Sequence, residues 1–125
     1  MDEFDYKAAV RFLKNKRIKR EEKLHRLFLK ANEDFKKIIE MIITKYNPRC
    51  IHQWGSLLNK KNFSEISDID IAIEGLTDNE AFFSLLDDAD RMSDFHIDIV
   101  ELEKIDPLHS DSIKSKGKLI YERKK

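Results

Sequence analysis

From Leu24 onward the apolar residues keep a helical rhythm. Leu24, Leu27, Phe28, Ala31, Phe35, Ile38, Ile39, Ile42 and Tyr46 follow one another at three- and four-residue steps, which gathers them on one face of a long amphipathic helix. Asn47-Pro48 ends it, because proline disfavours helical geometry at the residue before it. Upstream, residues 4–16 predict another helical stretch, with Phe4, Ala8 and Phe12, or Val10 and Leu13, as its apolar face. The basic run from Lys14 to Arg20 contains no Gly or Pro. It either joins two helices or lies on the outside of a single long one.

Beyond Pro48 the period shortens to two. Cys50–Trp54 reads as a short strand leading into Gly55-Ser56, with Leu57 and Leu58 opening a short helix. Asp68 to Glu74 alternates as a strand closed by Gly75, so that Asp68 and Asp70 share one face while Ile69, Ile71 and Ile73 share the other. Thr77-Asp78-Asn79-Glu80 predicts a capping box, Thr77 at the N-cap and Glu80 at the third helical position. The helix it opens has Phe82, Leu85, Leu86 and Ala89 as its face. Phe95 to Glu101 alternates again, with Phe95, Ile97 and Ile99 on one side and His96, Asp98 and Val100 on the other. Asp106 and Pro107 begin a last helix that Gly117 closes, and Leu119-Ile120-Tyr121 predicts a final edge strand.

The composition adds a charge map. At 125 residues the chain suits one domain with a modest core, and with 41% hydrophobic and 38% charged residues its helices carry long solvated faces. The formal net charge is zero, yet residues 1–30 hold ten Lys/Arg against five Asp/Glu, and residues 62–111 hold two against fifteen. The basic run reads as a solvated helix face or as a patch for an acidic partner, RNA included. A neutral chain without interleaved aromatics counts against nucleic acid. Cys50 is the single cysteine, which excludes an internal disulfide and suits a buried structural thiol. His25, His96 and His109 have no partners at helical spacing and read as surface or structural residues. An acidic N-terminus without an apolar stretch predicts no secretory leader, and no apolar run approaches the length of a membrane span. The expectation is a soluble, cytoplasmic protein.

The candidate chemistry lies in the acidic part. Two carboxylates at i and i+2 of a strand repel one another and add nothing to a core, whereas a hard divalent cation between them prefers oxygen ligands. Asp98 sits in mid-strand between isoleucines, an expensive place for an unpartnered charge. If the two strands are neighbours, Asp98 converges with Asp68 and Asp70. The plainer alternative is a solvated strand face with incidental acids. Gly55 allows close backbone approach to a ligand and Ser56 offers a hydroxyl and a main-chain N–H. A helix starting there would favour anions, although a Gly-Ser turn by itself is an ordinary connection.

Taken together, Gly55-Ser56, an eleven-residue spacer (57–67), Asp68-Ile69-Asp70 and the later Asp98 resemble the minimal nucleotidyltransferases of the polymerase-beta-like superfamily. The resemblance spans about residues 49–121. It implies an α+β fold, with a small mixed or antiparallel sheet packed by helices in two layers. The matching domain would be 31–125, preceded by a helical extension over 1–30, the whole forming one compact unit. It also implies a metal-dependent transfer of AMP from ATP to a hydroxyl. Asp68, Asp70 and Asp98 would be the catalytic ligands of Mg²⁺ or Mn²⁺, and Gly55 and Ser56 would hold the terminal phosphates. The family often carries an arginine just after Gly-Ser, where this chain has Leu57-Leu58-Asn59; Lys60 and Lys61 are the cations expected in its place, as point charges rather than bidentate forks. The acceptor implied is a protein side chain on a HEPN-type helical toxin. The competing function is an antitoxin that neutralises its partner by binding, through the long helix and the basic run. A template-directed polymerase fits poorly, because nothing resembles a primer- or template-binding domain.

Overall fold

The computed structural model describes residues 5–124. Its element order is α1 (Tyr6–Lys45), β1 (Cys50–Trp54), two single 3₁₀ turns (Ser56–Leu58 and Lys60–Asn62), β2 (Ile69–Glu74), α2 (Asn79–Asp90), β3 (Ile97–Glu101), α3 (Pro107–Lys116) and β4 (Lys118–Glu122). The strands form one sheet in the order β3-β2-β1-β4. β1 is antiparallel to β2 and to β4, while β2 and β3 are parallel. The fold is therefore α+β with a mixed, open sheet, as the sequence predicted.

The two helical stretches of the N-terminal half are one helix. α1 runs for 40 residues, about 60 Å at 1.5 Å per residue. Asp5 starts it by accepting from the Ala8 N–H at 3.0 Å, and the basic run continues it without interruption. Phe4, a predicted face residue, lies outside the described residues. The helix ends where Asn47 takes a left-handed φ of 45°, a conformation asparagine tolerates better than most residues. Its N–H and that of Tyr46 both donate to the Ile42 carbonyl, each at 2.9 Å. Pro48 follows directly and is buried.

Only the second half of α1 packs on the sheet. Ala31, Phe35, Ile38, Ile39 and Ile42 are buried with Ile51, Ile69, Ile71, Ile73, Ile97 and Ile99 from the strands and with Leu85 and Ala89 from α2. Each fully buried isoleucine contributes about 1.5–3 kcal/mol from area removed from water. On the opposite face α3 packs Ile113 with Ala72 and Leu102. The first half of α1, by contrast, leaves Val10, Phe12, Leu13 and Ile18 exposed. Among the described residues no helix is long and apolar enough to cross a membrane.

Polar contacts lock the helices to the strands. Lys45 Nζ and Tyr46 Oη both donate to Asp88 Oδ2, at 2.6 and 2.5 Å, joining the end of α1 to α2. Asp34 is buried within the apolar stripe and is satisfied by Lys30 at 3.0 Å and by the Ser93 hydroxyl at 2.6 Å. Ser93 Oγ also accepts from the Phe95 N–H at 3.1 Å, so the turn that delivers β3 is tied to α1. The cap of α2 differs from the predicted box. Asp78, not Thr77, is the N-cap and accepts from the Ala81 N–H at 2.7 Å; a carboxylate there meets the positive end of the helix dipole, which a threonine hydroxyl cannot match.

Ser93→Ala is expected to leave the buried Asp34 carboxylate short of one donor and to lower stability by roughly 2 kcal/mol. Urea unfolding of the variant beside the wild type checks this, and a loss below about 0.5 kcal/mol would show that the bridge contributes little.

Candidate active site

The sheet register builds the site. In the parallel β2–β3 pair Ile69 faces Ile97, Asp70 faces Asp98 and Ile71 faces Ile99. Partners in register point to the same side of a sheet. With the isoleucines in the core beneath α1 and α2, Asp70 and Asp98 are carried together to the other face. Asp68 precedes β2 by one residue and Asp70 by two, and its charge acts on Asp70. Asp70 and Asp98 thus share one face of the sheet, with Asp68 at the entry to β2. Asp70 is buried, whereas Asp68 and Asp98 are half-buried.

The consequence is electrostatic. Burial pushes the Asp70 carboxyl up to about 6, the neighbouring charges of Asp98 and then Asp68 add to the rise, and His96 opposes it. His96 lies with Nδ1 3.4 Å from Asp68 Oδ1. It is exposed, as expected of a surface residue, and the register of Ile69 opposite Ile97 carries it to Asp68.

Gly55 stands where the sequence placed it. In the antiparallel β1–β2 pair Trp54 faces Asp70, so the residue after Trp54 leaves the sheet beside that carboxylate. Gly55 has φ 81°, and a Cβ built on it would lie 2.0 Å from Asp70 Oδ2. Any side chain at this position must displace the carboxylate, on top of the strain of a left-handed backbone. Ser56 then opens a 3₁₀ turn of three residues rather than a longer helix. Leu57 anchors that turn in the core. Further along the spacer Phe63 packs edge-on between Phe28 and Phe95, with ring centroids 5.4 and 6.4 Å apart. The spacer is therefore pinned at two points before it returns to Asp68.

The two lysines expected beside Gly55-Ser56 are turned toward α1. Lys60 Nζ lies 2.7 Å from His25 Nδ1, and Lys60 and Lys61 line a hollow with Glu21, Leu24 and Phe28. A different cleft, of about 390 Å³, begins at Gly55 itself. Trp54, Leu58, Asn59 and Asn62 line it from one side and Lys116 and Gly117 from the end of α3. Sequence reading missed Lys116 because it lies sixty residues beyond Ser56, and only the packing of α3 brings it there. Gly117 makes that approach practicable: a Cβ on it would meet the Ile113 and Gln53 carbonyl oxygens at 2.5 and 2.6 Å.

Among the described residues no three His, Cys, Asp or Glu side chains are already grouped as a metal-holding cluster. The fit to a divalent cation is one of chemistry and register. The site offers hard carboxylate donors on one face, and the buried Asp70 suffers a repulsion that a cation would relieve.

The family described as "Polymerase beta, Nucleotidyltransferase" matches residues 36–125. The chain belongs to that family. The match begins within α1, takes in the whole sheet, and leaves the exposed first half of the helix outside. Among curated proteins no relative matches. Among solved structures, the toxin–antitoxin complex MntA–HepT is similar at 22% identity and a TM-score of 0.56, over 74% of this chain and 73% of that one. A toxin–antitoxin structure with AMP-PNP is similar at 23% identity and a TM-score of 0.57, over 70% and 73%. At these identities the likeness is one of fold.

Because the folded state raises the Asp70 carboxyl above its unfolded value, the native protein binds the extra proton. Its stability without divalent metal should therefore fall as pH rises from about 4 to 6 and stay reduced above that. Asp70→Asn removes the penalty. The variant should be more stable than the wild type at pH 7, by on the order of 2 kcal/mol, and the gap should close near pH 3. Thermal unfolding in chelator at both pH values measures this; equal melting temperatures at pH 7 would show that the carboxylates do not strain one another.

Proposed function

We propose that this chain transfers AMP from ATP to a hydroxyl on a partner protein, in a reaction dependent on Mg²⁺ or Mn²⁺. The observation that carries the reading is the register of Asp70 opposite Asp98, with Gly55 packed against the Asp70 carboxylate. In this reading Asp68, Asp70 and Asp98 hold the divalent ions, and residues 31–125 form the transferase domain that carries 1–30 as an extension. When bound, the ions would neutralise the triphosphate and polarise the phosphorus under attack. Gly55 and Ser56 bring main-chain and hydroxyl groups against the terminal phosphates and orient them. In the same reading Asp98, half-buried on an edge strand, helps to take the proton of the incoming hydroxyl. The hydroxyl oxygen forms a bond to the α-phosphorus, the bond from that phosphorus to the bridging oxygen breaks, and pyrophosphate leaves. The chain's own contribution is mainly placement, as in other phosphoryl and nucleotidyl transfers.

The reading of the acceptor as a partner protein is supported by the fold neighbours, which are toxin–antitoxin structures, one of them with a nucleotide analogue. A HEPN-type helical toxin is the partner that fits. One observation favours a second reading, an antitoxin that works by binding alone. The first half of α1 presents Val10, Phe12, Leu13 and Ile18 to solvent beside the basic run from Lys14 to Arg20. Several large apolar side chains left exposed along one helical stretch suit a protein interface better than a free surface.

With Mg²⁺ and the product of the neighbouring gene, ATP labelled at the α-phosphate should label that product, whereas ATP labelled at the γ-phosphate should not. Asp70→Asn should lower the transfer by about a hundred-fold or more, as expected when several kcal/mol of charge stabilisation is removed. If no label moves and the complex still forms and still neutralises the partner, binding alone is the function.

A further inference from the structure

The acidic face explains how ions are held, but the chain lacks an arginine after Gly55-Ser56 and its nearest lysines are engaged on α1. A nucleoside triphosphate still needs a cation at its far end. The cleft that begins at Gly55 contains one. Lys116 stands on the last turn of α3, lines the cleft, and forms no ion pair among the described residues. Its neighbour by two positions, Lys114, is directed instead toward Glu74, 3.7 Å away. The cleft has no Asp or Glu in its wall, and the amides of Asn59 and Asn62 contribute further donors. Gly55 is shared by both parts of the site: a Cβ on it would meet the Asp70 carboxylate, and it also lines the cleft. A polyanion whose reacting phosphate lay at the carboxylates would run past Gly55 into this cleft.

We propose that Lys116 is the residue that binds the terminal phosphates of the nucleotide, in the role the chain's missing arginine would have filled. The assignment rests on the reading of the chain as a nucleotidyltransferase. It also departs from the expectation for Lys60 and Lys61, which line the hollow against α1. A single ammonium gives a point charge, so the site should prefer charge over shape and should bind inorganic tripolyphosphate as well as ATP. The plainer role of Lys116, a cation favouring the C-terminal end of α3, predicts no ligand effect at all.

The test uses titration calorimetry on the full chain with Mg²⁺, and Trp54 as a built-in reporter. It is the only tryptophan, and it lines the same cleft. ATP and tripolyphosphate should both change its emission. Lys116→Met should weaken both ligands by about ten-fold, the usual scale for losing one charge-assisted contact, and leave AMP binding unchanged. Lys116→Arg should restore them, and Lys60→Met and Lys61→Met should bind as the wild type does. Asn59→Asp is an independent check: it keeps the oxygen that accepts from the Lys61 N–H, places a negative charge in the cleft, and should weaken both polyphosphates. If Lys116→Met and Asn59→Asp bind ATP as tightly as the wild type, or if the lysines at 60 and 61 carry the loss instead, Lys116 has no such role, while the transferase reading stands. If the wild type binds no ATP, both fall together.

Discussion

The arrangement on which the rest of this molecule depends is the pairing of Asp70 with Asp98 across two parallel strands. Parallel neighbours in register present their side chains to the same face, and the alternation of β-structure does the sorting. Ile69, Ile71, Ile97 and Ile99 enter the core, and the aspartates between them cannot. A slip of one residue in either strand would turn a charged side chain into the apolar layer beneath α1 and α2 and bring isoleucines to the acidic face. The isoleucines therefore hold the carboxylates together against their own repulsion. Hydrophobic burial on one side of the sheet sustains an unfavourable charge cluster on the other. Such local cost, retained in a well-packed frame, is characteristic of functional sites.

Much of this was legible from local patterns, because the signals were strictly periodic. The stripe from Leu24 to Tyr46 could only be the face of a helix. The alternation in Asp68–Glu74 and Phe95–Glu101 put the acids and the isoleucines on opposite sides before any strand neighbour was known. Gly55 was recognisable as a point of close approach, although its partner, the Asp70 side chain, was not. The failures share a cause. Asp78 displaced Thr77 as the cap of α2 because two adjacent residues compete for one position and only the backbone decides between them. Lys60 and Lys61 were assigned by nearness in sequence to Gly55-Ser56, but a 3₁₀ turn swings them toward α1. Lys116 reaches the cleft at Gly55 for the converse reason: packing of α3 brings a distant residue there, and no spacing rule encodes it.

The long helix links the two halves of the charge map. Its second half is stabilised by the sheet, and its first half extends from that anchored stem with little tertiary support. Helix growth from an existing nucleus avoids the cost of initiation, so a projecting stretch can remain helical while its apolar side chains stay unused. The Arg17–Glu21 pair adds a minor i, i+4 contact at 4.0 Å. The family match begins at residue 36, close to where burial begins. The packed part of α1 starts a little earlier, at Ala31, and the projecting part before it is free to be specified by something other than the domain's own core.

At the site the charge map takes a finer form. Gly55 adjoins the Asp70 carboxylate and also lines the cleft that holds Lys116. The missing side chain at position 55 leaves room for the Asp70 carboxylate, since a single methyl group there would collide with Asp70 Oδ2. A metal–triphosphate complex is itself divided in this way, with cations near the reacting phosphorus and negative oxygens toward the tail. The acidic face suits the first part and the acid-free cleft suits the second. Neither half would be selective alone, because bare carboxylates take any hard cation and a lone lysine takes any anion. In the proposed reading the two together favour a ligand that carries both charges in that order.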